Sequence, residues 1–89
     1  MKNRTNYSRS TLLSMLKEAR GDMTQGEFAK RIGMNRANWN RVEIGRASVT
    51  PKTAIALERE TRRPAFDWLE VQLVADLFDA RLQDKKRPP

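Results

Sequence analysis

Apolar residues along the chain recur at helical spacing, in segments separated by glycine, proline and helix-capping residues. In the first segment, spacing of i, i+3 and i+4 predicts an amphipathic helix over residues 10–20, which Gly21 ends. The apolar side chains expected on its buried side are Leu12, Leu13, Leu16 and Ala19. The preceding residues 1–9 are polar, and we expect them to form a flexible basic arm.

Two short helices are predicted next. Thr24, followed three residues later by Glu27, is the pattern of a capping box, which begins a helix that Gly33 ends. Asn35 is a new N-cap, and the helix that follows it is predicted over residues 36–44. The residues expected to face the core from these two helices are Phe28, Ala29, Ile32, Trp39 and Val42.

Two further helices complete the pattern. Thr50-Pro51 combines an N-cap with a proline at the first helical position and predicts a helix over residues 51–61. A last helix is predicted over residues 65–83, and residues 84–89 have no apolar anchor and are expected to be disordered. The side chains expected to be buried from the fourth helix are Ala54, Ile55 and Leu57. No segment shows a strand pattern, so the fold class is predicted to be all-α, with five helices in one domain.

The last helix carries two apolar stripes instead of one. At about 100° per residue, one stripe contains Trp68, Val71, Ala75, Phe78 and Leu82. The other contains Phe66, Leu69, Leu73, Leu77 and Ala80. One stripe is expected to pack on the domain, and Phe66, Leu69, Leu73 and Leu77 are then candidates for a dimer or partner interface. The alternative is a helix buried between others of the same chain.

Composition excludes several kinds of chemistry. The 89 residues contain no cysteine and no histidine, which removes disulfides, thiolate nucleophiles and the commonest zinc ligand and general base. We therefore expect no enzyme activity, no metal site and no cofactor. No apolar run reaches the length of a membrane span and no signal peptide is visible, so a cytoplasmic protein is expected.

Charge is divided unevenly along the chain. Residues 1–46 carry ten Lys and Arg against four Asp and Glu, whereas residues 64–84 carry one Arg against five acidic residues. The basic half suits a polyanion such as DNA, and the acidic segment does not. Charge alone is equally consistent with an ordinary basic protein whose side chains are solvated.

Residues 25–42 have the arrangement required for a helix-turn-helix, with two short helices joined by a turn of about four residues. Ala29 supplies the small side chain needed where the helices cross, and Gly33 supplies a positive φ at the turn. Trp39 is a potential base-stacking residue, but its i, i+3 partner Val42 favours a place in the core.

This segment resembles the helix-turn-helix of the Cro and phage-repressor superfamily, which implies a lambda-repressor-like domain. The matching residues are Thr24, Gln25, Phe28, Ala29, Gly33, Met34, Trp39, Val42, Glu43 and Gly45. Residues 49–81 are similar to HigA-type antitoxins, at Thr50-Pro51, Ala54, Leu57-Glu58, Trp68-Leu69, Gln72 and Asp76-Leu77. The chain departs from that family at Asp67, where an aromatic residue is usual, and at Arg62-Arg63, where a glycine-containing turn is usual.

In a helix-turn-helix the second helix directs its first turn at base edges in the major groove. The base-contacting candidates are Arg36, Ala37 and Asn40, with Asn38 and Arg41 flanking them. Arg suits guanine, Asn suits adenine, and Ala37 suits a thymine methyl group. Solvated surface is the alternative for each polar residue, and phosphate contact is a further alternative for Asn38 and Arg41.

Phosphate contacts are expected around this helix. By resemblance, Gln25 contacts phosphate or braces the recognition helix. The other phosphate candidates are Thr24, Lys30, Arg31, Arg46 and Lys52, any of which could instead be solvated. Arg4 and Arg9 on the arm are candidates for a minor groove.

The resemblance implies a homodimeric repressor of a palindromic operator on double-stranded DNA. It also implies an antitoxin that neutralises a cognate mRNA-cleaving ribonuclease. One alternative is a Cro-like phage or plasmid regulator without a toxin. Another is a protein-interaction module that retains the helix-turn-helix scaffold and does not bind DNA, which the acidic last helix permits.

Overall fold

The computed structural model describes residues 9–86, which form five α-helices and contain no strand. The helices are α1 (Arg9–Arg20), α2 (Gln25–Arg31), α3 (Arg36–Glu43), α4 (Pro51–Thr61) and α5 (Ala65–Lys86). This confirms the predicted all-α class with five helices. Helix α5 continues three residues past the predicted end at residue 83, so residues 84–86 are helical. Of the predicted tail, residues 87–89 lie outside the described residues.

Local sequence signals determine where the helices begin. The backbone N–H of Glu27 donates to Thr24 Oγ1 at 3.1 Å, and the N–H of Thr24 donates to Glu27 Oε1 at 3.0 Å. This reciprocal pair is the predicted capping box at the start of α2. Asn35 and Thr50 cap α3 and α4 in the same manner, each accepting a backbone N–H three residues later. These caps satisfy N–H groups that have no partner within their own helix.

The core lies between α1, the α2–α3 pair, α4 and the first half of α5. It contains two tryptophans, Trp39 and Trp68, both fully buried, and the ring of Phe28 packs on Trp39 with centroids 4.9 Å apart. Helix α5 packs mainly against α4 and α1. The remaining buried apolar residues are Leu12, Leu16, Ala29, Ile32, Val42, Val49, Ala54, Ala56, Leu57, Val71 and Ala75.

One predicted core residue is wrong. Ile55 is 57% exposed, whereas Ala54, Ala56 and Leu57 are buried. At about 100° per residue, the three buried positions centre on the side of α4 directly opposite Ile55. Helix α4 therefore turns a small residue, Ala56, toward its neighbours and leaves the larger Ile55 in solvent.

Gln72 joins α5 to the loop before α4. Its side chain is buried, its Oε1 accepts the N–H of Val49 at 2.8 Å, and its Nε2 donates to Asp76 Oδ1 at 3.0 Å. An unpaired amide in the core would be costly, and this bond satisfies both the side chain and a buried backbone group. The contact positions the α3–α4 loop, which leads directly from α3 into α4.

Candidate nucleic-acid interface

The turn between α2 and α3 is formed by residues that allow an abrupt change of chain direction. Gly33 has φ of +77°, a conformation that most residues adopt only at a cost, and the N–H of Met34 donates back to the carbonyl of Ala29 at 2.9 Å. Ala29 is buried where the two helices cross. Trp39 and Val42 are buried beneath them. Two short helices are thus held against the domain with one side of α3 in solvent.

Four of the five base-contacting candidates are exposed: Arg36, Ala37, Asn38 and Arg41. The buried residues Trp39, Val42 and Glu43 define the inner side of α3, so the outward direction centres on Ala37 and Arg41. Arg41, which the sequence placed on the flank, therefore lies in the middle of the exposed side. Asn38 lies toward the α3–α4 loop, where it lines a shallow groove with Arg41, Thr50 and Thr53.

Arg36 and Asn40 lie along the edge of α3 that faces the N-terminus of α2. A Cβ built on Gly26 would lie 3.8 Å from Arg36 Cδ, so the aliphatic part of this side chain runs beside α2. Asn40 is half-buried, and its Oδ1 accepts a hydrogen bond from Gln25 Nε2 at 3.0 Å. Gln25 therefore joins the start of α2 to α3, in keeping with the bracing role that was one of the two considered for it from the sequence.

The remaining phosphate candidates occupy different surroundings. Lys30, Arg46 and Lys52 are exposed, with Arg46 in the α3–α4 loop and Lys52 in the first turn of α4. Thr24 is engaged in the capping box of α2. Arg31 forms an ion pair with Glu60 at 3.2 Å, and Glu60 lies near the opposite end of α4 from Lys52. Arg31 is thus directed toward the C-terminal end of α4.

Arg9 does not belong to a flexible arm, contrary to the prediction. It is the first residue of α1, and its guanidinium contacts Asp79 Oδ2 at 2.6 Å and Asp76 Oδ1 at 2.9 Å. Both carboxylates lie on α5, so Arg9 joins the first and last helices and its guanidinium is engaged within the domain. Arg4 and the rest of the predicted arm lie outside the described residues.

A buried ion pair joins the inner side of α3 to α1. Glu43 is only 2% exposed, and its two oxygens accept hydrogen bonds from Arg20 Nε and Nη2 at 2.9 and 2.8 Å. Burial raises the pKa of Glu43, but the hydrogen bonds and charge of Arg20 outweigh burial and hold the pKa of this carboxyl below its ordinary value. Arg20 also donates to the carbonyl of Met23 at 2.8 Å, which fixes the loop before α2.

Sequence reasoning did not identify this ion pair. From the sequence, Glu43 was recognised only as a match to the helix-turn-helix pattern, and Arg20 only as the last residue of the first helix. The available signal was the position of Glu43, which lies next to Val42 and one helical turn after Trp39, on the side of α3 that turns inward. A charged residue on an apolar face requires a partner of opposite charge.

Helix α5 leaves one of its two apolar stripes uncovered. Trp68, Val71 and Ala75 are buried, but Phe66, Leu73 and Leu77 are 73%, 66% and 46% exposed. Leu69, the fourth interface candidate, is partly buried against the core and is less available to a partner. Phe78 and Leu82 belong to the first stripe yet are also exposed, at 51% and 48%.

Within residues 9–86 no group of three or more acidic, histidine or cysteine side chains has the arrangement of a metal site. Over the same residues, no helix combines the length and apolar character needed to cross a lipid bilayer.

Comparison with known proteins identifies the scaffold. Residues 9–59, more than half of the chain, match the family model of a helix-turn-helix domain. No curated protein and no solved structure matches the chain. The matched segment runs from the first residue of α1 nearly to the end of α4 and contains the whole α2–α3 unit. A match of this kind suggests a DNA-binding regulator.

Proposed function

Since the chain belongs to the helix-turn-helix domain family, we propose that it is a sequence-specific transcriptional repressor that inserts α3 into the major groove of DNA. The observation that carries the proposal is the exposed side of α3. Its core-facing positions are filled by Trp39 and Val42, while the side chains that reach solvent are an Ala, an Asn and two Arg. These residue types suit thymine methyl groups, adenine and guanine in the major groove.

The charge and exposure of the residues that follow α3 support DNA as the partner. Arg46 and Lys52 are exposed on the loop and helix that follow α3, where a phosphate backbone on one side of the groove would pass. We propose no enzymatic activity and no cofactor, because the side chains on the exposed side of α3 are of types suited to contacting bases and not to catalysis.

The test of DNA binding is selection from a pool of random duplexes, followed by binding titrations at several salt concentrations. We expect an enriched motif and an affinity that falls linearly with salt on a log–log scale, because bound phosphates release counterions. Arg36→Ala and Arg41→Ala should each weaken operator binding by about 1–3 kcal/mol and relax one base position. Arg59→Ala, on the solvent side of α4, is the control and should leave affinity unchanged.

Absence of an enriched motif together with negligible binding at low salt would contradict the proposal. That result would favour the alternative of a protein-interaction module on the same scaffold. The exposed apolar stripe and acidic character of α5 are the observations that support this second candidate.

The repressor is further proposed to act as a homodimer through α5. Phe66, Leu73 and Leu77 form one line along this helix, and an exposed apolar line of this kind is stabilised by removal from water. The acidic residues Asp67 and Glu70 lie near its start, whereas Arg81 and Lys85 lie near its end. An antiparallel pair of α5 helices places the acidic start of one copy against the basic end of the other, and its two-fold axis suits palindromic half-sites.

Sedimentation measurements test this interface. Leu73→Glu is expected to shift the protein to monomer, since it places a charge in the middle of the apolar line. Ile55→Glu is the matched control, because Ile55 is a comparably exposed aliphatic residue on α4. A monomeric wild-type protein at concentrations that saturate the operator would contradict dimerisation through α5.

The antitoxin role is also a proposal and rests on the similarity of residues 49–81 to HigA-type antitoxins. Its partner would be a cognate ribonuclease, encoded by an adjacent small basic reading frame. Co-expression tests it: the neighbouring gene should arrest growth when expressed alone, and this chain should restore growth. If the neighbouring gene is harmless, the Cro-like regulator without a toxin is the remaining interpretation.

A further inference from the structure

Helix α5 is acidic over most of the length that a second copy would meet. Residues 65–80 carry four acidic side chains and no Lys or Arg, whereas the three basic side chains of the helix lie in residues 81–86. Like charges repel one another, so two α5 helices oppose each other wherever their acidic parts approach. A homodimer through α5 therefore requires a means of offsetting this repulsion.

An antiparallel arrangement removes the repulsion only at the ends of the helices. When two copies of Ala65–Lys86 overlap along their whole length, the two-fold axis passes between the levels of Ala75 and Asp76. The acidic start of each copy then lies beside the basic end of the other. Asp76, however, lies at the middle, where the two copies of this residue differ in level by only about 1.5 Å.

Asp76 borders the exposed apolar line of α5. It follows Leu73 by three residues and directly precedes Leu77, so it lies on one flank of that line. A two-fold axis between antiparallel helices keeps this flank on the same side of the pair in both copies. Packed helices lie about 8–10 Å apart, a distance at which charges still interact in about 0.1 M salt. The middle of the dimer thus brings carboxylates of the two copies together.

Arg9 supplies positive charge to this part of α5. Its Nη2 donates to Asp76 Oδ1 at 2.9 Å and to Asp79 Oδ2 at 2.6 Å, and its Nε donates to Asp79 Oδ2 at 3.1 Å. The side chains of Asp76 and Asp79 are 46% and 47% exposed, and that of Arg9 is 31% exposed. The cluster is therefore open to solvent, and its net charge affects any surface that approaches it.

The surroundings hold this cluster in place. A Cβ built on Gly45 would lie 3.5 Å from Arg9 Cδ, so the aliphatic part of Arg9 runs past the turn that follows α3. On the other side, Gln72 Nε2 donates to Asp76 Oδ1 at 3.0 Å. The guanidinium and the carboxylate are thus each positioned by a neighbour as well as by each other.

We propose that Arg9 enables a second copy of this chain to dock on α5, by neutralising Asp76 and Asp79 at the middle of the homodimer. This inference rests on the α5 homodimer of the proposed function. Without Arg9, two carboxylates from each copy would face the two-fold axis after losing the cation that contacts them. Arg9 is a positioning residue for self-association, whereas the sequence made it a candidate for the minor groove of DNA.

Sedimentation at low and at high salt tests the proposal. Arg9→Met should raise the dissociation constant of the dimer by about 10-fold or more at low salt, because it restores the repulsion between carboxylates. High salt should strengthen the variant dimer, because it screens that repulsion. The wild-type dimer should show no such gain, since salt weakens the attraction between its helix ends. Lys17→Met, which removes the same charge from an exposed position on α1, is the control and should behave as the wild type.

A rescue variant separates charge from structure. Adding Asp76→Asn and Asp79→Asn to Arg9→Met removes the repelling charges, and Asn at position 76 retains an oxygen that can accept from Gln72. This triple variant should dimerise at low salt nearly as well as the wild type. If Arg9 only attached α1 to α5, neutral amides would not restore the dimer. Thermal melting of dilute protein establishes that each variant is folded.

The outcomes separate this inference from the proposed function. A wild-type protein that stays monomeric contradicts the α5 homodimer, and the role of Arg9 with it. If the wild type dimerises and Arg9→Met dimerises equally well at low salt, the dimer stands and the inference alone is overturned. A weakened Arg9→Met dimer that neither salt nor the two Asn substitutions restore also overturns it, because the role of Arg9 is then structural.

Discussion

The α2–α3 unit and helix α5 both expose a long surface, but the two surfaces differ in how they are made. On α3 every large apolar side chain is buried, and the outward residues are polar or small. On α5 large apolar side chains point both inward and outward, so Trp68 is buried while Phe66, two residues earlier, is 73% exposed. The first surface has a defined hydrogen-bonding pattern, whereas the second is defined by apolar area that has no cover within residues 9–86.

The comparison shows what each kind of surface reveals about its partner. Polar side chains such as those on the exposed side of α3 have donors and acceptors that suit particular groups on a ligand. An apolar stripe specifies only that a complementary apolar surface should cover it. The partner of α3 can therefore be argued from single residues, while the partner of α5 must be argued from length, charge and symmetry.

The largest expected effect comes from the core beneath α3. Trp39→Ala should lower the free energy of unfolding by about 3–5 kcal/mol, because it removes a fully buried indole that packs on Phe28. Phe66→Ala on α5 should change it by less than about 0.5 kcal/mol in the monomer. Urea unfolding of dilute protein, followed by circular dichroism, measures both. Equal losses for the two variants would mean that α5 is covered within the chain.

Two arginines of α1 sharpen the comparison, because Arg20 contacts a carboxylate of α3 and Arg9 contacts two carboxylates of α5. Arg20→Met should lower the free energy of unfolding by about 3 kcal/mol, because it leaves the buried Glu43 carboxylate without its partner. Arg9→Met should cost about 0–1 kcal/mol, because Arg9, Asp76 and Asp79 are all partly exposed. Urea unfolding at neutral pH distinguishes the variants. A larger loss for Arg9→Met would contradict this ranking.

Acid should weaken the attachment of α3 to α1. The pKa of Glu43 is lower in the folded chain than its ordinary value, so the unfolded chain binds a proton more readily. The stabilising effect is complete above the ordinary pKa and is lost as the pH falls through the lowered one. The loss should be smaller than for Arg20→Met, because a protonated Glu43 is no longer a buried charge. Urea unfolding across this pH range should show a shallower dependence for Glu43→Gln than for the wild type.

The smallest effects concern two glycines of the α2–α3 unit, and they should have opposite signs. Gly33→Ala should cost about 1 kcal/mol, because φ of +77° is unfavourable for a residue with a Cβ even in open space. Gly26→Ala should raise the free energy of unfolding by as much as about 1 kcal/mol. Gly26 is helical, and a Cβ there would meet the Arg36 side chain at an ordinary contact distance. Thermal melting compares the pair, and a stabilising Gly33→Ala would contradict the turn geometry.

The sequence by itself determined the helices and the turn. Thr24 with Glu27, Asn35, and Thr50 with Pro51 act on backbone groups a few residues away, so their effect can be derived without knowing the rest of the fold. The exposed side of α3 followed for the same reason, since the periodic burial of Trp39 and Val42 leaves the other side in solvent.

Only the tertiary structure decided which distant side chains meet. Arg20 pairs with Glu43, Arg9 with Asp79, and Gln72 with the backbone of Val49, across separations that no local pattern encodes. The burial of Ala56 in place of Ile55 depended likewise on where neighbouring helices lie. Each of these contacts is fixed by the packing of whole helices, because a side chain finds a partner only after both helices have been placed. The contact of Asn40 with Gln25 belongs to this second group, although both residues lie in the segment that the sequence identified.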